Sequence, residues 1–263
     1  MNGFDSVGDL MLALALTVPR IAAAFLVLPL MSSETVPALV RNSFYVSLAI
    51  IALPVAMSSA PMGAMGAGTW PLVILKELLI GTLLGFTFGS VFWALGTAGG
   101  IIDTQIGANF SNVVDPIQGH QTSLTGQLFS QLAAWLFMAS GAFLVFLDIL
   151  MSSYQLWPVQ NVLPALNPAG AGFMIGQLSY LMSTALLFAA PAMVVMSIVD
   201  FSLGLVNRYA QQLNVFALTL PIKAWLAQWV ILLTLGLIVE VVLRKLFQNR
   251  ELIEVFKRLL PVP

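Results

Sequence analysis

Residues 72–102 read LVILKELLIGTLLGFTFGSVFWALGTAGGII, roughly thirty residues of apolar sequence interrupted by one charged pair, Lys76 and Glu77. A helix of about 20 apolar residues crosses the hydrocarbon core of a bilayer. This stretch therefore predicts a membrane helix that is tilted, kinked or extended beyond the core. Five more apolar blocks, at roughly 10–31, 43–60, 128–150, 172–199 and 215–243, bring the number to six. The chain is 59% hydrophobic and only 8% charged over 263 residues, against about 45–50% and about 25% in soluble domains. So few charges cannot cover a surface facing water, and lipid or other apolar protein must cover it instead. The sequence reads as an all-α integral membrane protein, a single helical domain over 1–263.

A net charge of −1 favours neither nucleic acid nor an acidic ligand, and the absence of cysteine excludes disulfides and thiolate metal sites. The opening MNGFDSVGDL carries Asp5 and Asp9 but no basic residue, so it reads as the start of a first helix rather than a cleaved leader. Pro19, Pro29, Pro54 and Pro191 lie within or at the ends of blocks. The hydrogen bond each removes must be compensated by neighbouring protein or water, which favours helices packed on helices. The segments Asp103–Gly126 and 152–172 are long, polar and rich in turn residues, and read as loops. After Val242 come Arg244, Lys245, Arg250, Lys257 and Arg258, half of the ten basic residues. By the positive-inside rule this tail, 244–263, is expected to be cytoplasmic; its NRELIEVFKRLL is amphipathic and suited to a membrane surface or a partner.

Within the first stretch, Gly81, Gly85 and Gly89 recur every four residues and form a groove that lets another backbone approach closely. Glycine is common in membrane helices anyway, but three in register favour tight packing. Lys76 and Glu77 fit two readings equally: a pair buried against protein, or a pair at the helix mouth satisfied by water. The segment DTQIGANFSNVVDPIQGHQTSLTG (103–126) mixes amides and hydroxyls with Ile106, Phe110, Val113, Val114 and Ile117. That many apolar side chains suits a loop folded into a protein-lined cavity. His120 is the only histidine and has no acidic cluster around it, so neither a metal site nor a catalytic triad is expected. No cofactor is expected either.

The stretch VNRYAQQLNVFALTLPIK (206–223) gathers Asn207, Arg208, Gln211, Gln212, Asn214 and Lys223 between two apolar blocks, with Asp200 just upstream. On a continuous helix Asp200, Asn207, Gln211 and Asn214 fall on one stripe; an ordinary polar loop over 205–214 is the alternative. Buried polar groups cost several kcal/mol without hydrogen bonds, so the stripe must face protein or water. An autonomous transporter or channel is the rival reading of such a cluster, although no internal repeat supports it.

These residues resemble the export-gate subunits of type III secretion, the FliR/SctT family. The resemblance covers the whole chain. It is carried by Asn207-Arg208, by Gln212-Leu-Asn-Val-Phe216 and Pro221-Ile-Lys223, and by Lys76-Glu77 with Gly81 and Gly85. Further support comes from Phe92-Trp93-Ala94, Gly99-Gly100 with Asp103 and Gln105, Asp115-Pro116, Gln121-Thr-Ser123 and Ser153-Tyr154. Many members have proline where this chain has Gln211. The PIK, QTS and SYQ pieces look more like the injectisome branch than the flagellar one.

The resemblance implies a non-enzymatic pore component of the bacterial inner membrane, lifted toward the periplasmic side when assembled. It implies one copy of this chain closing a ring with five P/R-type and four Q/S-type subunits. Further partners are the switch (autoprotease-type) and large export-gate membrane subunits, and unfolded substrates in transit. It further implies a plug at roughly 107–118, with Gly107, Asn109, Phe110, Val113, Val114, Asp115, Pro116 and Gln118. Lys76, Glu77, Asp103, Gln105, Asp200, Asn207, Arg208, Gln212, Asn214 and Lys223 are then expected to make polar contacts between helices or subunits.

Overall fold

Apolar sequence with few breakers becomes helix almost throughout. A computed structural model describes residues 7–31, 36–56, 67–108, 123–161, 168–210 and 215–248. The helices are α1 (Val7–Val27), α2 (Ala38–Ala56), α3 (Trp70–Ile106), α4 (Leu124–Ala139), α5 (Ala142–Leu156), α6 (Pro168–Tyr209) and α7 (Val215–Gln248). Among the described residues there is no strand. Five of these helices are long and apolar enough to cross a membrane, and α4 with α5 passes the same test only as a bent pair.

Hydroxyls within the helices satisfy themselves locally. Those of Thr17, Ser47, Thr87, Thr104, Ser183, Ser197, Thr219 and Thr234 each donate to the carbonyl four residues earlier, which removes the cost of a free hydroxyl in apolar surroundings. Helix starts follow ordinary rules. Pro168 opens α6 at the position where its missing N–H costs nothing. Ser123 caps α4 by accepting the N–H of Gly126 at 2.8 Å.

Three differences from the sequence reading have physical causes. The block at 128–150 is not one helix: it breaks between α4 and α5, where Gly141 takes a left-handed φ of 75° that glycine alone adopts without penalty. The supposed loop at 152–172 is shorter, because α5 continues to Leu156 and α6 begins at Pro168. Ser153 and Tyr154 sit inside that last turn of α5, buried. The polar stretch after Asp200 is helical as far as Tyr209, but Ala210 is not, and helix resumes at Val215. Gln211 and Asn214, two of the four residues of the expected stripe, lie outside the described residues.

The chain packs as two compact units. The first holds α1, α2, the start of α3 and α5. Its core centres on the fully buried Phe25, whose ring meets Phe44 at 5.3 Å and Phe146 at 5.2 Å edge-on. Phe146 meets Phe88 of α3 in the same way. Edge-to-face pairs at this spacing add about 0.5–1.5 kcal/mol each beyond burial. The second unit holds the rest of α3, α4 and most of α6 and α7. There the glycines bring α3 against α4: a Cβ on Gly99 would collide with the backbone of Thr125 and Gly126. Phe92 and Phe137 stack edge-on beside that contact at 5.4 Å.

Candidate functional site

In the first unit α1 lies unusually close to α3. A Cβ added to Gly81 would fall 2.9 Å from the Cβ of Ala23 and overlap the Arg20 carbonyl; one added to Gly85 would fall 3.0 Å from the Cα of Ala24. Gly89, on the same face, is buried as well. This close approach delivers Arg20 of α1 to Glu77 of α3. Both side chains are wholly buried, and the guanidinium donates through Nε to Oε2 at 2.6 Å and through Nη2 to Oε1 at 2.9 Å. The fork geometry is the strong form of an ion pair.

The remaining donors of Arg20 reach α5. Nη1 donates to the Ser153 hydroxyl at 3.0 Å and Nη2 to the Trp157 carbonyl at 2.8 Å. The guanidinium lies 4.1 Å from the centre of the Tyr154 ring, and the Tyr154 hydroxyl donates back to the Thr17 carbonyl of α1 at 2.8 Å. Lys76 completes the cluster. Its ammonium touches Glu77 Oε1 at 2.9 Å and donates to the carbonyls of Pro158, Val159 and Asn161. Residues 157–161 are not helical, so those carbonyls lack ordinary helix partners; Lys76 supplies a donor to each, and the Pro158 carbonyl also accepts the Asn161 N–H in a turn. Buried irregular backbone is tolerated in a membrane protein only where something satisfies it. One buried anion and two buried cations thus weld α1, α3 and the end of α5.

In the second unit three further ionisable groups of the polar set gather near the end of α3: Asp103 on α3 itself, Lys223 and Asp200. Asp103 accepts hydrogen bonds from Ser123 and Thr125 at the start of α4. Lys223 of α7 pairs with Asp200 of α6 and donates to the Gln105 carbonyl. Asn207 and Arg208 are exposed and make no hydrogen bond among the described residues. Gln212 and Asn214 lie outside the described residues, as do Asn109, Phe110, Val113, Val114, Asp115, Pro116 and Gln118; only Gly107, in a turn at φ 86°, is described from that set. Among the described residues no group of His, Cys, Asp or Glu is placed to hold a metal ion.

Arg20 is the residue the sequence reading passed over. Its signal was present: a single charge within a block of apolar residues at 10–31, and an ionisable group at such a place is normally paired inside protein. Trp157 contributes only its carbonyl, which no side-chain pattern reveals.

Among the described residues much of the surface of α6 and α7 is apolar. In the membrane-spanning windows of α6 and α7 only 22% of residues are buried. This is a multi-pass helical membrane protein with buried charge at its helix contacts and large apolar faces left open. Residues 11–249 match the family described as Bacterial export proteins, family 1, and the chain belongs to that family, the FliR/SctT export proteins. Yop proteins translocation protein T of Yersinia pestis is 38% identical over 218 residues, covering 82% of this chain and 83% of that protein. Surface presentation of antigens protein SpaR of Salmonella typhimurium is 32% identical over 231 residues, covering 88% and 85%. Flagellar biosynthetic protein FliR of Bacillus subtilis is 30% identical over 244 residues, covering 92% and 93%. The higher identity to the first of these favours the injectisome branch over the flagellar one.

Proposed function

We propose that this chain is the single-copy subunit that closes the ring of an inner-membrane type III export gate, together with five P/R-type and four Q/S-type subunits. Unfolded substrates pass through the assembled pore, and the segment 107–118 narrows it in the closed state. The large export-gate subunit and the switch subunit join the same apparatus.

The observation that carries this reading is the outward face of α7. Leu218, Ile222, Trp225, Trp229 and Leu232 are all exposed, and Gly236 continues the row with open space above it. Their spacing alternates four and three, so they line one face of the helix, a long apolar stripe that neighbouring helices of the ring would cover. Helix length supports the position lifted toward the periplasm. The 37, 42 and 34 residues of α3, α6 and α7 reach about 50–60 Å at about 1.5 Å per residue, well beyond a hydrocarbon core of about 30 Å. The buried cluster supports it as well, since Arg20 and irregular backbone at 157–161 sit together two-thirds of the way along α1.

The test is to express the chain with its genomic neighbours, purify through a tag on it and weigh the intact complex by native mass spectrometry. One copy with several copies of two other small membrane proteins is expected. A monomer or homodimer that recruits nothing overturns the reading and brings the autonomous transporter forward.

A further inference from the structure

The helix α3 ends at Ile106 and α4 starts at Leu124, and a single residue joins these ends. The backbone carbonyl of Asp103 accepts the N–H of Gly107 at 3.1 Å and of Ala108 at 3.0 Å, closing α3. Its carboxylate, only 4% exposed, accepts the Ser123 hydroxyl at 2.6 Å, the Thr125 N–H at 3.0 Å and the Thr125 hydroxyl at 2.5 Å. All three donors come from the far end of the intervening segment. The anion also stands at the N-terminus of α4, where the helix dipole favours it. On the same turn of α3, the Gln105 carbonyl accepts from Lys223 at 3.1 Å, and Lys223 is held at 2.5 Å by Asp200 of α6. A cation at the C-terminal end of α3 is likewise favoured by its dipole.

Packing alone does not require either group. The backbones of Gly99 and Gly126 already bring α3 and α4 into contact, and a carboxylate adds only register to that contact. We propose that Asp103 and Lys223 are positioning residues for the pore-narrowing segment: Asp103 holds the end of α3 against the start of α4, the two helices that flank that segment in sequence, and Lys223 ties the α3 end to α6 and α7. This inference rests on the reading of 107–118 as the part that narrows the pore. Displacement of α7 is thereby passed to the base of that segment through one lysine.

The chain offers a staple for the test. A Cβ on Gly100 would lie 4.0 Å from the Cβ of Ser123, inside the range of about 3.5–4.5 Å found in disulfides, and the protein has no cysteine of its own. Potassium release is measured from cells carrying the assembled gate, normalised to the amount of complex on a native gel. The variants are Asp103→Ala, Lys223→Met, a deletion of 107–118, and Asp103→Ala combined with Gly100→Cys and Ser123→Cys. The deletion is expected to leak. Asp103→Ala and Lys223→Met are each expected to leak about tenfold more than the parent, the bias carried by one charge-assisted hydrogen bond. Oxidising the cysteine pair in assembled membranes should return the Asp103→Ala leak to the parent level, and reduction should restore it. Rescue after assembly separates positioning from folding. A leaking deletion with tight Asp103→Ala and Lys223→Met gates overturns the inference and leaves the pore reading standing. A tight deletion overturns both. A leak that oxidation does not reverse assigns Asp103 to folding and also ends the proposal.

Discussion

Replacing Arg20 by methionine removes the guanidinium while keeping apolar volume. It deletes both hydrogen bonds to Glu77, those to Ser153 and the Trp157 carbonyl, and the contact with the Tyr154 ring. Removing one partner of a buried ion pair costs about 3–5 kcal/mol. Lys76 remains 2.9 Å from Glu77, so the carboxylate keeps one counter-charge and the lower end, about 3 kcal/mol, applies. The Trp157 carbonyl loses its donor, adding about 1 kcal/mol. A total of about 4 kcal/mol corresponds to a fall in Tm of about 8–16 °C for a chain of this size. The assay is tryptophan fluorescence of the detergent-solubilised protein on heating. Glu77→Met alone leaves two buried cations facing each other and is expected to be worse. The double variant Arg20→Met/Glu77→Met removes the pair together, and its loss should be smaller than the two single losses added, by about 1–3 kcal/mol. A Tm for Arg20→Met within about 2 °C of the parent, or losses that simply add, would show that the cluster does not hold these helices and would refute the reasoning.

Three other outcomes are expected. Gly85→Leu forces side-chain atoms into the backbone of Ala24, and overpacking of this kind costs about 1–3 kcal/mol; purified yield and Tm should both fall, whereas Gly172→Leu, with nothing within 4 Å, should leave the isolated chain unaffected. Lys76→Met removes the ammonium donor from the carbonyls of Val159 and Asn161 and one of the two donors from that of Pro158, which keeps the Asn161 N–H, so amide exchange at residues 157–161 should accelerate before the helices around them respond. Gly141→Ala places a Cβ at φ 75° for about 1–2 kcal/mol, a Tm drop of about 2–8 °C, and Gly141→Asn should be milder because asparagine tolerates that region; equal losses would mean that the turn is not the source of strain.

The helical membrane fold was legible because apolar blocks and the shortage of charge admit little else. Gly81 and Gly85 were legible as a packing face since their four-residue spacing needs no knowledge of what lies opposite. Lys76 and Glu77 were visible as a pair, but whether water or protein satisfied them depended on Arg20, 57 residues away in sequence. Local pattern carries no such information. The break at Gly141 escaped notice because glycine inside an apolar run is equally at home in an unbroken helix. The polar stretch at 206–223 showed that partners were needed there, and Lys223 finds Asp200 and Gln105. For the rest of that stretch spacing alone left a helical stripe and a polar loop both open, because stripe geometry assumes a continuous helix; described helix ends at Tyr209 and begins again at Val215.

The buried cluster also sets a clock on biogenesis. Arg20 emerges from the ribosome long before anything that neutralises it, since Glu77 follows by 57 residues and Trp157 by 137. At about 5–20 residues per second the guanidinium waits roughly 3–11 s for its carboxylate and roughly 7–27 s for its last acceptor. During that interval α1 cannot settle into hydrocarbon without an unpaired charge. The first helix must therefore stay at the insertion machinery, in water, or against another protein until α3 and then α5 have been made. A nascent chain stalled between α1 and α3 should remain cross-linkable to the translocon, and one stalled after residue 161 should be released.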